Sequence, residues 1–70
     1  MSKLETPVAG RVLSVTVAVG ARVAEGDTIA TIESMKMELP VEAERAGTVA
    51  QVLVAVGDEV DEGQVLLELA

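Results

Sequence analysis

The feature that most constrains this chain is an internal duplication. Residues 9–33 read AGRVLSVTVAVGARVAEGDTIATIE and residues 46–70 read AGTVAQVLVAVGDEVDEGQVLLELA, an offset of 37. Identities fall at Ala9/Ala46, Gly10/Gly47, Val12/Val49, Val15/Val52, Val17/Val54, Ala18/Ala55, Val19/Val56, Gly20/Gly57, Val23/Val60, Glu25/Glu62 and Gly26/Gly63, which is 11 of 25 aligned positions. Composition alone would give roughly three, so the repeat is real. With 70 residues in all, the chain is one small domain made of two copies of one unit.

Each copy reads as β. Leu13, Val15, Val17 and Val19 alternate with Ser14, Thr16 and Ala18, and Ala50, Val52, Val54 and Val56 repeat the pattern. Period-2 alternation of β-branched residues predicts a half-buried strand running to the end of each stretch. Thr28–Glu33 and Val65–Leu69 predict a second short strand per copy. Between them lies a glycine-bracketed segment with one valine, Val23 or Val60. The glycines supply positive φ at turns, and the valine is expected to plug the core between them. One copy alone would leave a one-sided sheet. Two copies bury a shared interior. The expected fold is therefore all-β, a flattened antiparallel barrel-sandwich of about eight short strands with an internal pseudo-two-fold axis. The joining segment should lie at one end, with both chain termini together at the other.

Composition limits the means of stabilisation and the partners. With no cysteine and no histidine, the chain has neither disulfides nor thiolate or imidazole metal ligands. Half the residues are apolar and none is aromatic, so the core is aliphatic. A net charge of −7 argues against nucleic acid and anionic membranes. It suits a soluble chain, monomeric when isolated, that docks on basic surfaces. It equally suits simple solubility. The sequence shows no targeting segment and no long apolar span, which makes the cytoplasm the default compartment. Residues 1–70 are either a whole gene product or an excised domain, and Met1 with the end at Leu69-Ala70 leans towards the former.

The joining segment carries the chemistry. It reads Glu33-Ser34-Met35-Lys36-Met37-Glu38-Leu39-Pro40-Val41-Glu42-Ala43. Strand-like residues flank it, Thr28–Glu33 before and Glu38–Ala43 after, which predicts a tight hairpin with Met35 and Lys36 at the turn. Two-residue hairpin turns favour Asn-Gly or Asp-Gly, because both central residues usually need positive φ. A Met-Lys pair there stores of order 1–3 kcal/mol of strain. Such departures gather where function demands them. A lone lysine in a loop is ordinarily just a solvated charge. Methionine is ordinarily a core gap-filler. At a hairpin tip, however, Met35 and Met37 have little core to enter, and an adaptable apolar patch for partner recognition is the better account of at least one of them. Pro40 lacks a ladder donor, which predicts an edge or bulged strand after the turn. Glu33 and Glu38 either tune recognition or solvate the hairpin. No triad, metal cluster or phosphate loop supports independent catalysis.

The run from Glu33 to Glu38 resembles the biotinylation motif of biotin carboxyl carrier domains, within the biotinyl/lipoyl attachment family. The likeness extends over Thr6–Val12, over Val19-Gly20 and Glu25-Gly26-Asp27, and over Val41, Ala43, Gly47 and Val49. The length resembles small free-standing carrier proteins. Ser34 stands where alanine is common, and Ala43-Glu44 where Ala-Pro is frequent. The protruding loop of some acetyl-CoA carboxylase carriers has no room here. The resemblance implies covalent biotin on Lys36, added by a biotin protein ligase. The neutral ε-amine would attack biotinyl-adenylate, with help from desolvation or a base on the ligase. Ser34, Met35, Met37 and Glu33 would serve recognition. The implied role is non-catalytic carriage of a carboxyl group from a biotin carboxylase to a carboxyltransferase, in an acyl-CoA carboxylase or a similar system. Two other readings stay open: a lipoyl domain of a 2-oxoacid dehydrogenase complex carrying lipoate on Lys36, and an unmodified structural hairpin module.

Overall fold

The computed structural model describes residues 2–70 and contains strands and turns only. In chain order the strands are β1 (Ser2–Glu5), β2 (Gly10–Val15), β3 (Arg22–Val23), β4 (Thr28–Ser34), β5 (Met37–Glu42), β6 (Gly47–Val52), β7 (Glu59–Val60) and β8 (Val65–Leu69). They form two four-stranded antiparallel sheets, β1-β8-β6-β3 and β5-β4-β2-β7. The expected all-β flattened sandwich is what the chain forms, 31 × 19 × 18 Å in extent.

The sheet orders express the duplication. Shifting each strand of one sheet to its repeat partner (β1 to β5, β8 to β4, β6 to β2, β3 to β7) generates the other sheet. Loop hydrogen bonds obey the same operation. Thr6 N–H donates to the Gln64 carbonyl (2.9 Å), and Ala43 N–H, 37 positions on, donates to the Asp27 carbonyl (2.8 Å). Gly20 N–H donates to the Val49 carbonyl, and Gly57 N–H to the Val12 carbonyl, both at 2.8 Å. Each copy thus ties its turn to the opposite copy's strand, so neither half closes its backbone alone. The symmetry also reaches beyond the sequence repeat. It includes β1 and β5, where only Glu5/Glu42 are identical but Leu4 and Val41 are both buried.

The core is aliphatic throughout. Ile29, Ile32, Val12, Val49, Leu66, Leu67 and Leu69 are fully buried. Val23 and Val60 are buried between the paired glycine turns, as expected. Gly20, Gly26, Gly57 and Gly63 all have positive φ (85–96°), a region that side chains disfavour. Thr6 is the one buried polar side chain among the described residues. Its hydroxyl donates to the Val8 carbonyl (2.7 Å) and accepts from the Val8 N–H (3.3 Å), so it enters the core satisfied.

The expected strands running to Val19 and Val56 are not what forms. β2 ends at Val15 and β6 at Val52. A register shift between Val12 and Ser14, matched between Val49 and Gln51, breaks the alternation in each copy. An extra residue at a bulge turns the chain and ends regular pairing. Val19 and Val56 consequently stay about two-thirds exposed (66% and 65%) at the turns rather than facing the core.

Candidate functional site

β4 and β5 form the hairpin that carries the joining segment. Their register runs from Thr28↔Glu42 to Ser34↔Met37, leaving Met35 and Lys36 as a two-residue turn. Both turn residues have positive φ, 53° for Met35 and 65° for Lys36. That is the signature of a type I′ turn, whose twist matches the strands it joins. The expected turn therefore forms, built from two residues that disfavour its backbone. They are the only non-glycine residues with positive φ among those described. β5 is the outer strand of its sheet, as Pro40 required, and begins at Met37.

The hairpin tip is exposed. Met35 is 92% and Met37 62% accessible, and Lys36 lies between them on the surface. Neither methionine fills the core. Ser34 is half-buried, and Glu33 and Glu38 are exposed directly opposite one another. Beneath the tip, β2 lies hard against β4: a Cβ on Gly10 would run into the Glu33 carbonyl oxygen and reach within 2.8 Å of Ile32 Cγ2. Gly10 thus seats the hairpin on the rest of its sheet.

The tip and the chain termini lie at opposite ends. Ser2 pairs with Leu69 at one end of β1 and β8. At their other end, Glu5 and Thr6 face Val65 and Gln64. From there the chain passes directly to Gly10 and Val60, which pair beside the hairpin. The pseudo-axis sets the closed hairpin of the first copy against the open chain ends of the second.

Sequence reasoning missed the groove beside the hairpin, which is about 580 Å³ in volume. Ala9, Arg11, Glu33, Met35, Glu59 and Asp61 line it. The repeat offered a signal for it, because the pseudo-axis brings the second copy's turn to the end that carries the first copy's hairpin.

The all-β scaffold thus presents Lys36 on a strained hairpin, away from the paired ends of β1 and β8. Comparison with known proteins identifies the family. The biotin/lipoyl family model, described as "Biotin-requiring enzyme", matches residues 2–69. This chain belongs to that family. No match was found among curated protein sequences. Among solved structures, a single-chain, multi-domain long-chain acyl-CoA carboxylase is 33% identical, with a TM-score of 0.89, over 94% of this chain and 7% of its own. The urea carboxylase of Kluyveromyces lactis is 33% identical, with a TM-score of 0.91, over 99% of this chain and 6% of its own. The chain thus spans less than a tenth of the length of either carboxylase. Among the described residues, no helix is long and apolar enough to cross a membrane.

Proposed function

We propose that this domain is a biotin carboxyl carrier: Lys36 bears biotin in amide linkage, and the group carries a carboxyl unit from a biotin carboxylase to a carboxyltransferase. The observation that carries the reading is the Met35-Lys36 turn, where positive φ at both residues presents the ε-amine at the tip of a rigid hairpin. Membership of a family of biotin-requiring enzymes, and likeness to two carboxylases, support biotin as the group and carboxylases as the partners. An acyl-CoA carboxylase is the system favoured by the first of these.

The residues fit the attachment chemistry. Lys36 is exposed to an entering ligase, and Met35 and Met37 offer it an apolar contact on both sides. The ligase forms a C–N bond from the amine to the biotinyl carbonyl carbon, the bond to AMP breaks, and the amine loses its proton. The domain supplies position and performs no chemistry itself. Its stiff β scaffold keeps the tethered group at the surface, where tethering holds it near a docked active site at roughly millimolar local concentration. The acidic surface, with a net charge of −7, supports steering towards basic partner clefts. The expected state is a cytoplasmic monomer that docks transiently.

Co-expression with a biotin protein ligase, followed by intact mass measurement, tests this. The expected result is one biotinyl group per chain, all of it lost in Lys36→Arg while the melting temperature is kept. Lipoyl addition in a host with both ligases, or modification that survives Lys36→Arg, would overturn the assignment.

A further inference from the structure

We propose that the groove beside the hairpin is a resting site for the ring of the group carried on Lys36. The inference rests on the biotin reading above and adds a second contact surface to it.

Register carries the argument. Arg11 of β2 pairs with Glu33 of β4 on one side and Glu59 of β7 on the other. Directly paired residues on neighbouring strands project from the same face. Alternation sends their neighbours Val12, Ile32 and Val60 into the core, and all three charged residues are exposed. Across three strands the outer face therefore reads acceptor, donor, acceptor. The bicyclic ring of biotin ends in a cyclic urea that reads N–H, C=O, N–H. These are the complementary functions in the complementary order. Met35 and Ala9, on the same groove, supply apolar surface for the sulfur-containing half of the ring.

Size and place agree with this. About 580 Å³ falls within the range of small-molecule pockets, roughly 300–1,000 Å³. Met35, which lines the groove, is the chain neighbour of Lys36. Affinity need not be high, because the ring is tethered. A site with millimolar intrinsic affinity is substantially filled at the roughly millimolar effective concentration of a short link. The molecule also contains its own control. The positions related by the repeat to Glu33, Arg11 and Glu59 are Ala70, Thr48 and Arg22. They are joined in the same way, with the Ala70 N–H donating to the Thr48 carbonyl (2.8 Å) and Arg22 paired with Thr48. That row has no side-chain carboxylate. The row of acceptor, donor and acceptor side chains is thus present at the lysine end and not at its repeat-related position.

The test is solution NMR on the whole chain in three forms: unmodified, biotinylated by the ligase, and Lys36→Gln, which removes the lysine charge without adding a ring. Intact mass first establishes that biotin is attached. Its failure to attach sinks the functional reading, and the resting site with it. With biotin attached, nuclear Overhauser contacts are expected from the ring protons to the Met35 and Ala9 methyls. Amide shifts at Gly10, Arg11 and Glu59–Asp61 should also exceed those of Lys36→Gln. Biotinylated Arg11→Gln should lose the contacts and revert to the Lys36→Gln pattern while remaining biotinylated. A ring with no contact beyond the Lys36 side chain, or contacts unchanged in Arg11→Gln, would overturn the proposal and leave the carrier role standing.

Discussion

The two copies of the repeat share a backbone and differ in what they place at each end of the molecule. The first copy runs through a closed two-residue turn at Met35-Lys36, whereas the second ends where the chain ends. The glycine-bracketed turns differ in the same polar sense. Ala21, Arg22 and Ala24 of the first copy become Asp58, Glu59 and Asp61 in the second. The pseudo-axis brings that second turn to the hairpin end, through the pairing of Gly10 with Val60. Duplication supplied a scaffold in which two equivalent ends could diverge. One end received a presented lysine and a bank of carboxylates, and the other the chain termini.

If the copies are equivalent in the core, matched truncations should cost the same. Ile32 and Leu69 are repeat partners, buried at 0% and 1%. Ile32→Ala and Leu69→Ala should each lose about 2–5 kcal/mol. Small domains hold only about 3–5 kcal/mol in total, so both variants should be largely unfolded by urea titration or thermal melting. One variant remaining near wild-type stability would show that the two halves of the core do unequal work.

Equivalence should fail at the strand starts. Gly10 and Gly47 are repeat partners, yet a Cβ on Gly10 meets the Glu33 backbone, whereas one on Gly47 meets the Leu69 side chain at 3.3 Å. A side chain can yield, but a paired strand cannot without loss of register. Gly10→Ala should therefore cost about 3 kcal/mol, and Gly47→Ala about 1 kcal/mol or less. Midpoints of urea unfolding for the pair would separate them, and equal losses would show that β2 and β4 are not held more tightly than β6 and β8.

Much of this was legible in the sequence, for identifiable reasons. Glycines at Gly20, Gly26, Gly57 and Gly63 marked positive φ because few other residues adopt it cheaply. Val23 and Val60 declared themselves as plugs by standing alone between turns. The hairpin was readable from its flanking strands and from Pro40, which restricted β5 to an edge. The strand ends were not readable. Val17 and Val19 continue the alternation of Val15, and nothing local reports the bulge after Val12 that ends β2 at Val15. The groove was hidden for a related reason. Arg11, Glu33 and Glu59 are far apart in sequence and meet through register alone. Thr6 was equally silent, because its burial depends on a bond to Val8 that a buried threonine requires but does not announce.

The hairpin itself invites a substitution that improves the fold at the expense of the site. Met35 holds φ of 53°, and asparagine tolerates that region better than an unbranched apolar side chain does. Met35→Asn should stabilise the domain by about 1 kcal/mol, which for a chain of this size raises the melting temperature by about 4–8 °C. It should at the same time slow biotinylation by the ligase, because the apolar contact beside Lys36 is gone. A variant that is more stable and equally well modified would remove Met35 from recognition and leave its strain unexplained.

The smallest effect tests the turns themselves. In the second copy the Asp58 N–H closes the turn onto the Ala55 carbonyl (3.0 Å), and the Asp58 carboxylate accepts from the Ala55 N–H (2.9 Å). In the first copy the Ala21 N–H makes the same closing bond to the Ala18 carbonyl (3.0 Å). Alanine, however, has no oxygen to offer the Ala18 N–H. The turns that follow are capped in both copies, by Asp27 Oδ2 on the Ala24 N–H (2.8 Å) and by Gln64 Oε1 on the Asp61 N–H (3.1 Å). The missing acceptor at Ala21 is thus a local vacancy in an otherwise matched set. Ala21→Asp should fill it, raising stability by up to about 1 kcal/mol, and Asp58→Ala should lose a similar amount. The double variant should then return close to wild-type stability, because Ala21 and Asp58 share no hydrogen-bond partner and their effects should add. Calorimetric melting of the three variants decides it. A gain at Ala21 without the matching loss at Asp58 would mean that the carboxylate at Asp58 does little for the turn, and that its value lies in the charge it adds to the lysine end.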